Sequence, residues 1–213
     1  MKLTCTFRKL LFRNYTVEPT ILMPYLPKAS ELDLWKGKAW ISLVGLIFEN
    51  TKVSGISVPF FQHFPQVNLR LYVKNGVVVL RELVPKPFLS VFIRLFYREK
   101  YLALPLTVSE TITSIEYRWR DGGVYNRFGA KTIGNWQTVE ESSEEFFFTQ
   151  RLYGFTPVKQ VRIDHTPWRV KKLENGYLEI SEGSAFPSPF LEILKHPPDS
   201  HWLAEGSEVT LMI

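Results

Sequence analysis

The sequence lacks the features that mark several common classes of protein. It contains a single cysteine, Cys5, which excludes an internal disulfide framework and any zinc or iron–sulfur site built from cysteines. The longest nearly apolar stretch, 87–97, is too short to cross a bilayer and carries Arg94, so no membrane association is expected. No G-x-S-x-G elbow, P-loop or G-x-G-x-x-G fingerprint occurs, which argues against serine hydrolases, P-loop NTPases and Rossmann dehydrogenases.

The chain also lacks a strong bias toward one sign of charge. Its 26 basic and 21 acidic residues are mixed along most of its length, so nucleic acid is not an expected partner. No apolar run of signal-peptide length follows Met1, and we therefore expect a cytoplasmic protein. The four histidines show no metal-ligand spacing, and neither a metal nor a cofactor is expected.

The composition of the chain indicates one large hydrophobic core. The 213 residues are 45% hydrophobic and 15% aromatic, which predicts a single domain over 1–213, either monomeric or homodimeric. Short β-type runs dominate, and the clearest helical pattern covers 88–98. The sum is a mostly β, α+β fold: a strongly bent antiparallel sheet or partly closed β-barrel with a central cavity and a few short helices. The expected strands are 39–50, 67–73, 77–84, 111–120, 161–164, 168–173 and 203–212.

Three local features are predicted within these elements and beside them. Gly45 is expected to bend the strand 39–50. In the strand 111–120, Ile115, Tyr117 and Trp119 alternate with charged residues and are expected to share one face, opposite a solvated one. Ser142 or Ser143 is expected to cap a short turn through 145–147.

Asn75-Gly76, between two β-branched runs, predicts a hairpin. A two-residue Asn75-Gly76 loop would set Arg70 against Arg81, whereas a three-residue 74–76 loop, with Gly76 in the left-handed bulge position, sets Asn68 against Glu82. We favour the second register because it brings opposite charges together. Asn68, Arg70, Tyr72 and Glu82 then share one face of the hairpin.

Glu82 stands out because it lies in a run too apolar for a solvated face. A carboxylate there must be paired or hydrogen-bonded. In one interpretation the barrel interior binds a substrate carboxylate or phosphate through Arg70, and Glu82 acts as an acid, a base or an orienting group. In the other, Arg70 and Glu82 form a buried ion pair that fixes strand register. Both interpretations remain open at this stage.

Two further residues are candidates for chemistry. Lys100 follows the 88–98 helix, and a desolvated or crowded lysine forms Schiff bases; an exposed lysine beside Glu99 is the structural alternative. His165 suits a general base oriented by a carboxylate, or a strand-end histidine bonded to the backbone.

Seven segments resemble the YqjF-like family of uncharacterised bacterial proteins, in matching order from Leu10 to Met212. They are NYTVEPTILMPYLPKASELDLWKGKAWISLVG, FPQVNLRLYV, GVVVLRELVPKP, LFYREKYLALPL, FFFTQRLYGF, DHTPW and HWLAEGSEV. That family is placed in the acetoacetate-decarboxylase-like superfamily, so the resemblance implies a bent, barrel-like β core around a cavity.

The resemblance also implies a chemistry to test. The superfamily's decarboxylase uses a Schiff-base lysine beside a second lysine, and the nearest position here is Lys100. Its neighbour is Tyr101 instead of lysine, so Arg94 or Arg98 would supply the positive field. Gln66 also stands where the family often has an acid.

Three hypotheses follow, in order of preference. The first is a protein that binds a small acidic or carbonyl-containing molecule in the barrel, through a set of polar side chains. That set is Asn68, Arg70, Glu82, Arg94, Tyr97 and His165. The second is a lyase that uses Lys100 and Glu82. The third is an interaction module with an aromatic surface around 146–148 and Tyr153.

Overall fold

A computed structural model describes residues 2–28, 30–57, 59, 62–85, 101–155, 160–181 and 185–212. Strands dominate this part of the chain. They are β1 (Lys2–Val17), β2 (Ala39–Val53), β3 (Ile56–Ser57), β4 (His63–Val73), β5 (Gly76–Val84), β6 (Tyr101–Ala103), β7 (Leu106–Glu110), β8 (Ser114–Asp121), β9 (Val124–Gln137), β10 (Tyr153–Phe155), β11 (Gln160–His165), β12 (Val170–Glu179), β13 (Ser200–Ala204) and β14 (Glu208–Met212). The described helices are α1 (Pro19–Leu22), a 3-10 turn (Met23–Tyr25), α2 (Glu144–Thr149) and α3 (Phe190–Lys195).

Seven strands close into a barrel in the order β1, β2, β4, β5, β10, β11, β14 and back to β1. From β1 the same sheet continues outward through β13, β12, β9, β8 and β7. All these pairings are antiparallel except β5 with β10. The mostly β fold with a bent sheet is therefore confirmed, and the barrel is closed where the sequence predicted partial closure.

The long first strand makes this closure, and the sequence analysis assigned no strand to it. Its early residues pair with β14 from Lys2 to Thr6, its later ones pair with β13 from Leu10 to Asn14, and β2 follows it on the other edge. Register shifts interrupt the β1–β2 ladder. Such bulges break the two-residue hydrophobic period, which explains why the pattern gave no strand signal.

The predicted strand 203–212 is in fact two strands, and this expectation was wrong. β13 ends at Ala204 and β14 begins at Glu208. Gly206 lies between them with φ 89°, and a Cβ there would sit 1.9 Å from the Phe7 carbonyl oxygen. The chain turns tightly against β1 at this glycine and passes from one half of β1 to the other.

Two apolar clusters occupy the two faces of the sheet. One contains Leu69 and Leu71 of β4 together with Tyr117 of β8 and Phe190 of α3, elements that lie outside the barrel. The other contains Val44 and Tyr72 with further residues of β1, β5 and β14, joined by Phe148, Trp168 and Trp202. The first cluster lies between the barrel wall and the outer sheet, and the second lies on the inner face of the barrel strands.

Several local predictions are confirmed. The Ser143 side chain accepts a hydrogen bond from the Phe146 amide and caps α2. In β8, Ile115, Tyr117 and Trp119 are buried in alternation, as its pattern predicted. The predicted helix 88–98 falls outside the described residues.

Gly45 in β2 provides space for a ring of the outer cluster. A Cβ at this position would lie 2.4 Å from Cδ2 of Tyr117. That ring is fully buried, and its hydroxyl donates a 2.7 Å hydrogen bond to the Lys9 carbonyl. The glycine expected to bend the strand therefore serves a close approach between β2 and β8.

We predict that Gly45→Ala lowers the free energy of unfolding by about 1–3 kcal/mol, because the buried Tyr117 ring must move to admit a methyl group. Urea denaturation measures the change. Gly154→Ala is the matched control, because its Cβ would meet only Ile163, at 3.6 Å. A Gly45→Ala variant as stable as the parent would show that the ring has room to shift.

Candidate functional site

Strand alternation directs a group of polar side chains from β4 into the barrel. Leu69 and Leu71 belong to the outer cluster. Asn68, Arg70 and Tyr72 alternate with these two leucines along β4, so they face the interior. Tyr72 and Asn68 are buried, and Arg70 is half-buried. The predicted common face of these three residues is therefore present in the structure.

The hairpin that carries them differs from the prediction at its turn. Asn68 does pair with Glu82, as the favoured register requires, but Val73 pairs with Gly76 and the loop is Lys74-Asn75. Asn75, not Gly76, takes the left-handed conformation, with φ 63°. A register shift beyond Leu69 restores the predicted pairing, so that Arg70 faces Val79.

Gly76 has a different role from the one expected of it. A Cβ at Gly76 would lie 2.4 Å from the Tyr153 carbonyl oxygen and 2.6 Å from the Phe155 ring. The glycine allows β10 to pair closely with β5, a contact between distant segments that the hairpin sequence does not reveal.

Arg70 is a cation on the interior face. Its Nε donates to the Tyr72 hydroxyl at 3.2 Å, and Nη2 donates to the Phe148 carbonyl at 3.1 Å. The guanidinium carbon lies 4.9 Å from the centre of the Phe12 ring. Arg70 forms no ion pair with Glu82 or with any other carboxylate of the described ranges. The buried Arg70–Glu82 ion pair offered as one interpretation is therefore absent.

Glu82 instead accepts a 2.6 Å hydrogen bond from Nε2 of Gln66, and both residues are buried. Beside them, Oδ1 of Asn68 is buried without a hydrogen-bond partner. An amide oxygen, an amide nitrogen and a carboxylate thus lie together on the same hairpin as Arg70.

A chain of hydrogen bonds holds Tyr72 in position. Its hydroxyl donates to Ser42 at 2.6 Å, and Ser42 donates to Oδ1 of Asn14 at 2.5 Å. Nδ2 of Asn14 donates to Ser200 at 3.1 Å, and Ser200 donates to Glu144. Every donor points away from Arg70, so the Tyr72 oxygen is left to accept from the guanidinium.

The sequence analysis did not single out Asn14 and Ser42. Both are fully buried, at 0% exposure. The available signal was Ser42 itself, a polar residue in the otherwise apolar first part of β2. That signal shows that a partner is needed, but not which strand supplies it.

His165, at the end of β11, faces the same interior. Its ring stacks on Trp168 at 4.2 Å, and its Nδ1 lies 2.8 Å from the Thr166 carbonyl. Since a carbonyl only accepts, Nδ1 carries the proton and Nε2 of the neutral ring keeps its lone pair. The sequence analysis gave such a hydrogen bond to the backbone as the structural alternative to a role of His165 as a general base.

The pKa of His165 is lowered, mainly by burial and further by the positive charge of Arg70. β4 and β11 are not neighbours in the barrel, so this interaction crosses its interior. Asn68, Arg70, Glu82 and His165, four residues named from the sequence, therefore face the same interior. Lys100, Arg94 and Tyr97 lie outside the described residues.

The searched part of the chain contains no group of three His, Cys, Asp or Glu side chains able to hold a metal ion. Within the same ranges, no helix is both long and apolar enough to span a membrane.

Comparison with known sequences identifies the family. The model of DUF2071, described as an uncharacterized conserved protein, matches residues 4–208. The chain belongs to the DUF2071 family. The uncharacterized protein YqjF of Bacillus subtilis strain 168 is 25% identical to this DUF2071 chain in an alignment of 209 positions, which covers 92% of the chain and 85% of YqjF. The resemblance to YqjF-like proteins is thus confirmed.

Solved structures show the same fold at low sequence identity. Acetoacetate decarboxylase from Legionella pneumophila superposes with a TM-score of 0.72 at 11% identity, covering 99% of this chain and 85% of its own. An acetoacetate decarboxylase-like enzyme from Sphingomonas wittichii gives 0.63 at 10% identity, with coverages of 98% and 90%. The enduracididine biosynthesis enzyme MppR, solved with pyruvate, gives 0.61 at 10% identity, with coverages of 99% and 87%. The chain therefore has the acetoacetate-decarboxylase-like fold.

We predict that Arg70→Gln raises the pKa of His165, because it removes the charge that opposes protonation, while burial still holds that pKa below its ordinary value. NMR titration of the histidine rings measures it. His201 is the internal control, because burial and Arg13, not Arg70, lower its pKa. An unmoved His165 titration would mean that the two side chains do not share the interior.

The lowered pKa of His165 also sets a pH dependence of stability. The unfolded chain binds a proton near the ordinary value of 6.5, which the folded protein resists. The contribution of His165 to folding is therefore undiminished above 6.5 and becomes unfavourable as the pH falls below it.

Proposed function

We propose that this protein binds a small carboxylate-bearing molecule, such as a keto acid, inside its β-barrel. The observation that carries the proposal is Arg70, a guanidinium on the interior face without a carboxylate partner in the described ranges. A half-buried cation is stabilised by an anion, and a guanidinium binds a carboxylate through two parallel hydrogen bonds.

The surroundings of Arg70 support a ligand of this class. The hydrogen-bond chain through Tyr72 fixes the guanidinium before any ligand arrives, which lowers the entropy cost of binding. Rings of the interior cluster, including Phe12 and Phe148, would enclose the apolar part of a small acid. Neutral His165 offers Nε2 as a hydrogen-bond acceptor across the interior, and Glu82, held by Gln66, offers a second polar contact.

The fold relatives support the same class of ligand. MppR was solved with pyruvate, and two other neighbours are acetoacetate decarboxylase or resemble it. Pyruvate and acetoacetate both carry a carboxylate next to, or one carbon from, a carbonyl group. We therefore choose these two acids as probes.

We predict that pyruvate or acetoacetate raises the melting temperature in a saturable way, because a ligand that binds only the folded state stabilises it. Arg70→Gln should weaken binding by about tenfold or more, since a charge-assisted hydrogen bond contributes about 1.5–3 kcal/mol. Isothermal titration calorimetry and thermal scanning measure both effects.

Arg120→Gln is the matched control, because Arg120 is exposed on β8 outside the barrel. Undiminished binding in Arg70→Gln would contradict the proposal. So would a failure of a broad panel of small acids to stabilise the parent protein. Loss of folding in Arg70→Gln alone would assign a structural role to Arg70, and Arg70→Lys then tests ligand binding with the charge retained.

A second candidate is a lyase that forms a Schiff base through Lys100. The fold shared with the Legionella decarboxylase at TM-score 0.72 favours it, as does the resemblance at Lys100. No lysine of the described residues is buried, so none of those is a desolvated nucleophile. This candidate places the Schiff base at Lys100, the position that the family resemblance indicates, with Glu82 as the acid or base.

We predict for this candidate that borohydride, added with acetoacetate, attaches a reduced adduct to Lys100 alone. Reduction converts the imine to a stable amine, and mass spectrometry of proteolytic fragments locates the added mass. Lys100→Arg keeps the charge and should abolish the adduct, whereas Lys171→Arg should not. No adduct over a panel of keto acids would remove the lyase candidate and leave the binding proposal standing.

The third hypothesis, an aromatic interaction surface, loses two of its rings. Phe148 is fully buried, and Phe147 packs against Trp35 and Tyr72. Phe148 is therefore closed to a partner, and Phe147 is half-buried by its own contacts.

A further inference from the structure

Arg70 keeps one nitrogen of its guanidinium outside the contacts that hold it. Nε donates to Tyr72 at 3.2 Å, and Nη2 donates to the Phe148 carbonyl at 3.1 Å. Nη1 makes no hydrogen bond within the described residues, and it is not sealed from solvent, because the side chain is only half-buried. Its two N–H groups are the donors that remain for a carboxylate.

His165 faces the same interior from β11, which does not neighbour β4 in the barrel. Its direct cross-strand partner is Val209 of β14, a member of the interior cluster, and such partners point to the same face of a sheet. The His165 ring stacks on Trp168, which also belongs to that cluster. The Arg70 guanidinium lies over Phe12, a third member. The cation and the imidazole therefore border one set of interior rings.

His165 has one ring nitrogen left to take up a proton. Nδ1 donates to the Thr166 carbonyl at 2.8 Å, whereas Nε2 has no hydrogen-bond partner within the described ranges. The ring is half-buried and Nε2 is not sealed, so protons reach it from solvent. Protonation at Nε2 adds a charge to the interior without breaking a hydrogen bond.

Arg70 is the charge that opposes this proton. Burial lowers the pKa of His165, and Arg70 lowers it further, by more than Asp164 on the same strand raises it. Across β14 on the same face lies Cys5, a thiol that burial keeps neutral by raising its pKa to about 12. Glu82 on β5 is held by a hydrogen bond from its own hairpin. A change of charge at Arg70 is therefore felt by the imidazole.

We propose that a carboxylate bound at Arg70 is accompanied by a proton at Nε2 of His165. This inference rests on the proposed function, because it needs an anion at Arg70. The bound anion neutralises the cation that opposes protonation, and the proton passes from solvent to Nε2 while no other covalent bond forms or breaks. By linkage, a proton on His165 strengthens binding of the anion by the same factor.

The coupling acts within a limited range of pH. Well above the ordinary histidine value of 6.5 the ring is neutral with or without a ligand, and binding takes up no proton. As the pH falls below 6.5, the liganded protein becomes protonated before the free protein does, so the affinity rises. We expect a gain of about fivefold or more between about pH 8 and the lowest pH at which the chain stays folded.

The test measures the Kd of pyruvate for the full chain over this range by isothermal titration calorimetry. Two buffers with different heats of ionisation are used, because the difference in heat counts the protons taken up. His165→Phe keeps an aromatic ring on Trp168 and should lose both the pH dependence and the proton uptake. His201→Phe is the matched control, since His201 is also half-buried with a lowered pKa but lies beside Arg13 on the outer face. Its proton uptake on binding should equal that of the parent.

NMR gives the reciprocal measurement on the parent protein, and it replaces the variant if His165→Phe does not fold. Saturating pyruvate should raise the pKa of His165 and leave that of His201 in place. Binding with a constant Kd and an unmoved His165 titration would overturn the inference and leave the Arg70 site standing. So would proton uptake that persists in His165→Phe, because another group would then carry the proton. No binding of any small acid at any pH would remove the proposed function and this inference together.

Discussion

The double pairing of β1 is the constraint on which the rest of the structure depends. Along one edge β1 is paired with β2, and along the other its two halves are paired with β14 and β13. This arrangement closes seven strands into a barrel and attaches the outer sheet at the same point. Closure removes exposed strand edges and separates an interior face from an outer one.

That separation gives each face of β1 its own chemistry. The interior face presents Phe12 toward Arg70 and Asn14 toward Ser42, and the outer face presents Arg13 toward His201. Because successive side chains of a strand alternate, neighbouring residues of β1 meet entirely different partners. The barrel wall thereby separates the proposed ligand site of the interior from the packing of the outer sheet.

The hydrogen bonds that hold Arg70 in the interior also have a fixed direction. Arg70 can only donate and Glu144 can only accept, so the chain of hydrogen bonds between them has one direction. Tyr72, Ser42 and Asn14 each satisfy a neighbour and are satisfied in turn. A buried network of this kind holds a guanidinium in one geometry, as a binding site for a carboxylate requires.

Much of the local structure was determined by the sequence itself. The alternation of Ile115, Tyr117 and Trp119 and the cap at Ser143 follow from short-range patterns and are present in the structure. The predicted pairing of Asn68 with Glu82 is also present, but a bulge produces it in place of the expected three-residue loop. The apolar surroundings of Glu82 were likewise sufficient to indicate that it needs a polar partner.

Only the tertiary structure decided which groups meet. One of two interpretations of the sequence paired Glu82 with Arg70, yet Glu82 accepts a hydrogen bond from Gln66, and Arg70 donates one to Tyr72. The path of β1, the turn at Gly206 and the place of His165 opposite Arg70 depend on closure of the barrel. Such contacts join segments far apart along the chain. Local propensity fixes the strand and its faces, whereas bulges and closure fix the neighbours, and no short window of sequence encodes those.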